Sequence, residues 1–265
     1  MMIEGQSRKM TTAMGTPVQY SLRLGDESVT LNPFIGRDIQ LTFMGKITCI
    51  ECGRTTKKSF AQGFCFPCMR NSPMNSECII RPELCRGHLG EGRDVEWELK
   101  HHVREHVVYL AVSSEIKVGV TRGDQLPTRW IDQGASSARV IARTPHRCAA
   151  GEIEVALKDA FTDRTSWQKM LKNDVLEAPD WAAALERVRA TVPESHEQYL
   201  VDDEALLSLD YPVTAYPEKV KSTGFDKAPI IAGTLMGIKG QYLLLDENRV
   251  LNIRKHNGYH LRFEA

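Results

Sequence analysis

Four cysteines form the clearest chemical motif of the chain. They occur as two Cys-x-x-Cys pairs, Cys49 with Cys52 and Cys65 with Cys68, with twelve residues between the pairs. Gly53 and Gly63 adjoin the pairs, where tight turns need positive φ. Two such pairs provide a tetrahedral four-sulfur shell that suits zinc and leaves no open coordination position, so the spacing predicts a structural zinc ion. Redox-active thiols or separate buried cysteines are the alternative.

A second group of candidate metal ligands is spaced less regularly. Cys78, Cys85 and His88 fall within eleven residues, and three more histidines follow at positions 101, 102 and 106. Cys78, Cys85 and His88 could hold another zinc ion with His106 as the fourth ligand, because His106 adjoins the next predicted strand. Structural thiols beside a surface histidine explain the same residues equally well.

The composition is that of a soluble globular protein, with 42% hydrophobic residues, 26% charged residues and a formal net charge of zero. Neutrality counts against strong non-specific binding to nucleic acid, although it is compatible with local basic patches. No apolar run approaches the roughly 20 residues of a membrane span, and the N-terminus lacks the apolar core of a signal peptide. We therefore expect a cytoplasmic protein without a membrane partner, whose seven cysteines are metal ligands or buried thiols.

The elements that could position a catalytic site lie between residues 107 and 167. An apolar run ending at Ser114 and the segment 116–122 predict a β-hairpin. A helix start at 127–130 and a third strand at 138–143 follow. Apolar residues at helical spacing then predict one helix over 149–172. The predicted order is therefore strand, strand, helix, strand, helix.

These residues resemble the GIY-YIG nuclease superfamily, especially its phage-type branch. That branch carries a tyrosine in the first strand, here Tyr109, and a Lys-Ile-Gly-Val-Thr motif in the second, here Lys-Val-Gly-Val-Thr at 117–121. Its arginine in the following helix is matched by Arg129. Its later Glu-x-x-Leu-x-x-x-Phe motif is matched at 154–161, ahead of Trp167. The resemblance covers about a quarter of the chain.

The resemblance implies metal-dependent phosphodiester cleavage. Tyr109 would help to deprotonate the attacking water, Arg129 would stabilise charge on the phosphate, and Glu154 would hold one divalent cation, magnesium or manganese. Lys117 replaces the second-strand tyrosine, a change that the phage-type branch tolerates, and is either a base with a lowered pKa or a phosphate clamp in a site that no longer cleaves. As structural alternatives, Tyr109 is a core aromatic, Arg129 a surface helix residue and Glu154 a solvated glutamate at the flank of the helix. Glu152 could be the functional carboxylate instead of Glu154.

The whole chain also resembles an uncharacterised bacterial family of unknown function with a zinc-ribbon-like four-cysteine motif. The resemblance rests on Pro-Thr-Arg-Trp-Ile-Asp-Gln-Gly-Ala at 127–135, on the cysteine pairs, and on Gly-Ile-Lys-Gly-Gln-Tyr at 237–242. That family has no assigned activity, so this second resemblance implies no biological role.

The flanking regions are predicted from alternation and turn residues. Segments 19–24, 28–32 and 38–43 predict three short antiparallel strands, and a helix is predicted from Asp94. Asp180 is a predicted N-cap, and a second helical piece is expected over 195–209. After a proline-rich loop at 210–230, turns at Asp246-Glu247-Asn248 and Asn257-Gly258 predict a three- or four-stranded meander.

Basic residues interleaved with tyrosines make the C-terminal strands a candidate nucleic-acid surface. The predicted nucleic-acid-binding residues are Arg122, Lys239, Tyr242, Arg254 and Lys255. A solvated strand face is the structural alternative.

The sequence thus predicts an α+β fold with a zinc-stapled β-rich module, a central GIY-YIG-like α/β domain with a small antiparallel sheet, and a β-rich C-terminal segment. The expected segments are 1–48 (β-rich), 49–106 (zinc module), 107–175 (central domain), 176–229 (helical linker) and 230–265 (meander, which can pack with 1–48). We expect a nucleic-acid-acting, metal-dependent endonuclease. The alternatives are a non-catalytic nucleic-acid-binding or regulatory protein on a degenerate nuclease fold, and a protein-interaction adaptor.

Overall fold

A computed structural model describes residues 1–162 and 166–265 and confirms the expected mixed α+β fold. The strands are β1 Met2–Gln6, β2 Thr11–Ala13, β3 Gln19–Leu24, β4 Glu27–Thr30, β5 Asp38–Ile47, β6 His106–Val112, β7 Ile116–Arg122, β8 Ser137–Thr144, β9 Leu207–Ser208, β10 Lys221–Thr223, β11 Ile230–Lys239, β12 Tyr242–Leu245, β13 Arg249–Asn252 and β14 Tyr259–Glu264. The helices are α1 Phe66–Asn71, α2 Val95–His101, α3 Thr128–Asp132, α4 Arg147–Leu157, α5 Trp167–Leu171, α6 Trp181–Thr191 and α7 Glu194–Glu197.

The largest sheet draws strands from both ends of the chain. Its order is β1-β14-β5-β11-β12-β13-β10, so the N-terminal strand and the C-terminal strands form one sheet. β14 alternates buried and half-buried residues, as a strand with one face on the core should. The buried face packs against the small sheet β2-β3-β4 in one apolar cluster, which Tyr20, Leu22, Leu261 and Phe263 exemplify.

The central sheet, ordered β7-β6-β8-β9, carries two of the four candidate catalytic residues, Tyr109 on β6 and Lys117 on β7. Every residue of β6 is buried, because Tyr109 and its alternate neighbours face the large core while Val108 and Leu110 face a second core against α4 and α6. Burial on both faces explains the continuous apolar run of β6. The antiparallel register places Tyr109 opposite Gly119 and Ala111 opposite Lys117. The predicted order of strand, strand, helix, strand, helix is confirmed here.

The prediction of one helix over 149–172 is wrong. α4 ends at Leu157, and α5 begins at Trp167 with Ser166 as its N-cap. The backbone nitrogen of Val118 donates to the Thr162 oxygen at 3.1 Å, so the chain leaves the helix to pair with β7. Residues 163–165, which the prediction included, lie outside the described residues.

Other local predictions had mixed outcomes. The helix starts at Asp94 and Asp180 are confirmed, because each carboxylate accepts a hydrogen bond from a first-turn backbone nitrogen at 2.9 Å. The helical piece over 195–209 is wrong beyond α7, since β9 pairs there with β8. Segment 38–43 pairs with β11 and β14 and not with β4.

The Asn257-Gly258 hairpin is also wrong, because β14 pairs with β1 and β5 and not with β13. Gly258 has φ +89°, and a Cβ there would lie 2.6 Å from the Thr48 carbonyl oxygen. The glycine therefore serves a close approach between distant segments and not a local turn. None of the helices in the described parts of the chain combines the length and the apolarity that crossing a bilayer requires.

Candidate metal and phosphodiester sites

The four predicted cysteines come together at the end of β5. The sulfurs of Cys49, Cys52, Cys65 and Cys68 all lie within 4.8 Å of one another. Cys52 Sγ and Cys65 Sγ are 3.8 Å apart, which matches the ~3.8 Å edge of a tetrahedron with Zn–S bonds of about 2.3 Å. The group could hold a metal ion such as zinc.

Local backbone geometry explains how the two pairs meet. Gly53 has φ +71° and Gly63 has φ +132°, so the positive φ values expected beside the pairs are confirmed. A Cβ on Gly63 would lie 2.7 Å from Ile50 Cγ2, which shows how closely the second pair approaches the first. Cys65 is the N-cap of α1, and Cys68 lies in its first turn.

Backbone amides prepare Cys49 for metal binding. Burial of this thiol favours its neutral form, but backbone N–H groups of Cys52, Cys65 and Glu51 point at the sulfur. The net effect lowers the pKa of Cys49 to about 6. Because the thiolate is the metal ligand, this cysteine is ready to bind at neutral pH.

The second cysteine group has a different composition from the expected one. Donor atoms of Cys78, Cys85, Glu98 and His102 lie within 4.8 Å of one another. The predicted partners lie outside this group. His88 stacks on the His146 ring with a centroid distance of 4.3 Å. The ring Nδ1 of His106 lies 2.9 Å from the Arg104 carbonyl oxygen. The sequence did contain a signal for this grouping, since Glu98 and His102 are four residues apart near a predicted helix.

Three of the four predicted catalytic residues line one cavity of about 300 Å³, which we name the Glu154 cavity. Lys117 comes from β7, Arg129 from α3 and Glu154 from α4. Glu154 Oε2 is 4.0 Å from the Lys158 ammonium, which lines the same cavity. Glu152, the alternative carboxylate, pairs instead with His196 at 2.7 Å and does not line the cavity.

Tyr109 lies behind the cavity wall. It is 0% exposed, and burial raises the pKa of its phenol although Arg129 opposes the shift. In the Gln133 amide orientation that satisfies both neighbours, the amide nitrogen donates to Tyr109 Oη at 2.9 Å, and the oxygen accepts from Arg129 Nη2 at 3.1 Å and Nε at 3.2 Å. Tyr109 therefore reaches the cavity through Gln133 and Arg129.

The pKa of Lys117 shifts in the opposite direction to that of Tyr109. Its side chain is buried at 4% exposure, and desolvation, together with the charge of Arg129, lowers the pKa of its ammonium to about 8. A lysine with this pKa has a usable neutral fraction near physiological pH.

A basic cleft of about 250 Å³ adjoins the Glu154 cavity, and Ile79, Val120, Arg129 and Arg147 line both. The cations of the basic cleft are Lys9, Arg122, Arg129, Arg147 and Arg254. Among its described lining residues the single carboxylate is Asp132, which pairs with Lys9 at 2.7 Å. The cleft is therefore strongly positive although the chain is neutral overall.

The predicted nucleic-acid-binding residues divide into two sets. Arg122 and Arg254 line the basic cleft. Lys239 is 1% exposed, with its ammonium donating to Asn173 Oδ1 at 2.7 Å, and Tyr242 stacks on Trp167. Lys255 is exposed and does not line the cleft.

Several contributing residues were not predicted as site residues. Arg147 and Lys158 line the Glu154 cavity, and Lys9 lines the basic cleft. Arg147 opens α4 about two turns before Glu154, on the same helix face, so the helical periodicity of α4 could have identified it. Lys9 is distant in sequence and carries no such signal.

Comparison with known proteins identifies a family but not an activity. A model of the DUF2797 family, described as a protein of unknown function, matches residues 36–261. Neither the comparison with curated proteins nor the comparison with solved structures gave a match. Because the family model covers most of the sequence, the chain belongs to the DUF2797 family of proteins of unknown function.

Proposed function

We propose that this protein acts on nucleic acid and cleaves phosphodiester bonds with a divalent cation, as its resemblance to the GIY-YIG superfamily implies. The observation that carries the proposal is the convergence of Lys117, Arg129 and Glu154 on one cavity. Phosphodiester cleavage needs an activated water, cationic stabilisation of the phosphate and an anchored metal ion, and these side chains can supply all three.

The cations of the Glu154 cavity and the basic cleft would bind the phosphate groups. Arg129 and Arg147 line both spaces, so a phosphate bound at the cavity lies at one end of a continuous positive surface. Phosphate contacts dominate the affinity of proteins for nucleic acid, and they need only a local positive surface. The neutral net charge of the chain is therefore compatible with the proposal.

The chemistry of the cavity suits a magnesium or manganese ion held by Glu154. Among the described residues that line the cavity, Glu154 is the one carboxylate. Magnesium commonly binds through one or two carboxylates together with substrate phosphate oxygens and water. When bound, such an ion neutralises charge that develops on the phosphate. Arg129 and Arg147 would add to that neutralisation from the protein side.

Lys117 is the better candidate than Tyr109 for accepting the proton of the attacking water. Burial raises the pKa of the Tyr109 phenol, while the pKa of Lys117 is lowered to about 8. Lys117 also lines the cavity, whereas Tyr109 does not. Tyr109 acts as a positioning residue, because its hydroxyl fixes Gln133, which holds the Arg129 guanidinium in place.

The four-cysteine cluster would hold a structural zinc ion. Its four cysteine sulfurs would complete a tetrahedral shell, which would leave no open position for substrate. Hydrogen bonds from Arg8 to the Ile50 carbonyl and from Ser59 to the Asn257 carbonyl join this module to the rest of the chain. Thiolate ligands persist in a reducing compartment, which supports the cytoplasmic location expected from the sequence.

A cleavage assay with the wild-type protein tests the proposal. Single-stranded, duplex and structured DNA and RNA would be incubated with magnesium, with manganese and with a chelator. We expect cation-dependent strand cleavage of at least one substrate. Salt-sensitive binding without cleavage would favour the alternative of a non-catalytic binding protein, which the burial of Tyr109 and the presence of Lys117 also fit. If the protein neither binds nor cleaves any of these substrates, both candidate functions are contradicted.

A further inference from the structure

We propose that Cys78, Cys85, Glu98 and His102 form a second metal site that binds one zinc ion. The donor atoms of the four residues all lie within 4.8 Å of one another, and each side chain is buried. Two thiolates, one imidazole and one carboxylate are all ordinary zinc ligands, and four of them complete a tetrahedral shell. The site is separate from the four-cysteine cluster and does not depend on the proposed cleavage activity.

The two sulfur-to-nitrogen distances match those between ligands of one zinc ion. His102 Nδ1 lies 3.5 Å from Cys85 Sγ and 3.8 Å from Cys78 Sγ. A tetrahedron with the usual zinc bond lengths has sulfur-to-nitrogen edges of ~3.5 Å. The helical spacing of four residues turns Glu98 and His102 to the same side of α2, toward the two sulfurs.

Glu98 supplies a second, independent observation. Its side chain is 2% exposed, and its Oε2 forms an ion-pair contact with His102 Nδ1, a nitrogen that also lies within 3.8 Å of both cysteine sulfurs. One imidazole nitrogen has a single proton to donate and cannot satisfy a carboxylate and two sulfurs at once, and buried charges are normally paired or bound to a metal. An ion between Glu98, His102 and the cysteines would satisfy this oxygen.

The segment from 72 to 94 has too small an apolar core to stabilise its own structure. It consists of short 3₁₀ turns, and several of its apolar side chains are exposed, with Ile80 at 85% and Leu89 at 57%. The buried cluster described beneath it contains three sulfur side chains, those of Cys78, Cys85 and Cys148. A segment with so little apolar core typically depends on a metal or a covalent cross-link for its structure.

Two glycines allow the segment to close over the proposed ligands. A Cβ on Gly92 would lie 2.5 Å from Glu98 Cγ, and a Cβ on Gly87 would lie 3.3 Å from Glu98 Cβ. Because larger residues would separate the loop from α2, the glycines keep Cys85 within reach of Glu98 and His102.

The site has a structural consequence for the Glu154 cavity. Ile79, Ile80 and Pro82, which lie between the two cysteine ligands in the sequence, form one wall of that cavity. Arg147 donates from Nε to the Cys78 carbonyl at 2.8 Å and from Nη2 to the Ile79 carbonyl at 2.9 Å. The ion would therefore fix this wall and, through it, the position of Arg147.

Metal content of the full-length protein tests the proposal. The protein would be loaded with zinc under reducing conditions, freed of excess metal, and analysed for zinc per chain. We expect two zinc ions in the wild type and one in His102→Ala and Cys85→Ser. His88→Ala and His106→Ala are matched controls, because these histidines lie outside the group, and both should retain two ions.

X-ray absorption on the wild type gives a readout that does not depend on the folding of any variant. With both sites filled, the coordination averages three sulfurs and one nitrogen or oxygen per zinc ion, whereas the four-cysteine site alone gives four sulfurs. One zinc per chain with all-sulfur coordination would overturn the proposal. Loss of the second ion in His88→Ala but not in His102→Ala would overturn this ligand set, as would a Cys78–Cys85 disulfide in the zinc-loaded protein.

Discussion

At the scale of single residues, the candidate site depends on two buried groups, the Tyr109 phenol and the Lys117 ammonium, whose pKa values shift in opposite directions. Burial disfavours the charged form of both, so it raises the pKa of the Tyr109 phenol and lowers that of the Lys117 ammonium to about 8. The sequence could indicate which residues lie in this region. It could not indicate which residue reaches the cavity, because that depends on the packing of β6 between two cores.

The pH dependence of cleavage should follow Lys117. As a base it acts in its neutral form, so cleavage should rise as pH increases and level off above about pH 8. Lys117→Met should abolish this dependence together with most of the activity, by about 100-fold or more. A pH–rate profile of the wild type and of Lys117→Met measures this pH dependence of cleavage.

Lys239→Met is the matched control, because the pKa of Lys239 is also lowered to about 8 by burial, outside the Glu154 cavity. For each lysine the unfolded chain binds more protons between about pH 8 and the ordinary value of 10.5, so the free energy of unfolding rises with pH in that window. Both variants should flatten that rise. An activity profile altered equally by both variants would argue against Lys117 as the base.

Tyr109→Phe should distinguish positioning from proton transfer. Loss of one hydrogen bond to Gln133 costs about 1 kcal/mol, so we expect cleavage to fall roughly fivefold and the free energy of unfolding to fall by about 1 kcal/mol. Removal of the general base would instead reduce cleavage by about 10²–10⁴-fold. Kinetic assays at saturating substrate, with chemical denaturation in parallel, give both values. A loss of cleavage of about 10²–10⁴-fold in Tyr109→Phe would instead indicate that Tyr109 is the general base.

At the scale of secondary-structure elements, local patterns predicted the elements whose limits are set locally. The β6–β7 hairpin and the N-caps at Asp94 and Asp180 belong to this class. The end of α4 does not, since helical spacing continues to Phe161 while the chain turns to pair Thr162 with Lys117. Pairing between distant segments cannot be deduced from the periodicity of one segment.

Gly119 on β7 links the hairpin to the site. It lies opposite Tyr109, and a Cβ there would be 2.6 Å from Tyr109 Oη. Gly119→Ala should displace the phenol from Gln133, destabilise the protein by about 1–3 kcal/mol and reduce cleavage more than Tyr109→Phe does. Thermal unfolding and cleavage rates measure these effects.

Gly123→Ala is the control for Gly119→Ala. A Cβ at Gly123 would meet the carboxylate of Glu105, whose side chain is 54% exposed and can move aside. We expect a change of less than about 0.5 kcal/mol. Equal effects of the two substitutions would contradict the role assigned to the contact between Gly119 and Tyr109.

At the scale of the whole molecule, the sequence suggested that the C-terminal strands can pack with residues 1–48, but it could not show which strands pair. β5 pairs with β11 and β14, and Gly258 approaches Thr48 next to the four-cysteine cluster. The basic cleft likewise combines Lys9, Arg129 and Arg254 from three distant segments. A composition with zero net charge gives no hint of such a surface, because the sum of charges does not determine their distribution.

Binding of nucleic acid should therefore depend on salt through this cleft. Arg122→Gln should weaken binding and reduce the slope of log affinity against log salt by about one, as expected for a single phosphate contact. Lys227→Gln, an exposed lysine outside the cleft, should leave the slope unchanged. Fluorescence anisotropy at several salt concentrations gives both slopes. Identical slopes for the two variants would place the nucleic acid elsewhere.

The most direct measurement of the central claim compares Glu154→Gln with Glu152→Gln in the cation-dependent cleavage assay. The two glutamates are two residues apart on α4, but Glu154 lines the cavity while Glu152 is half exposed and pairs with His196. We expect Glu154→Gln to lose cleavage by at least about 100-fold with zinc content unchanged, and Glu152→Gln to stay near the wild-type rate. Full cleavage by Glu154→Gln would contradict the proposed site.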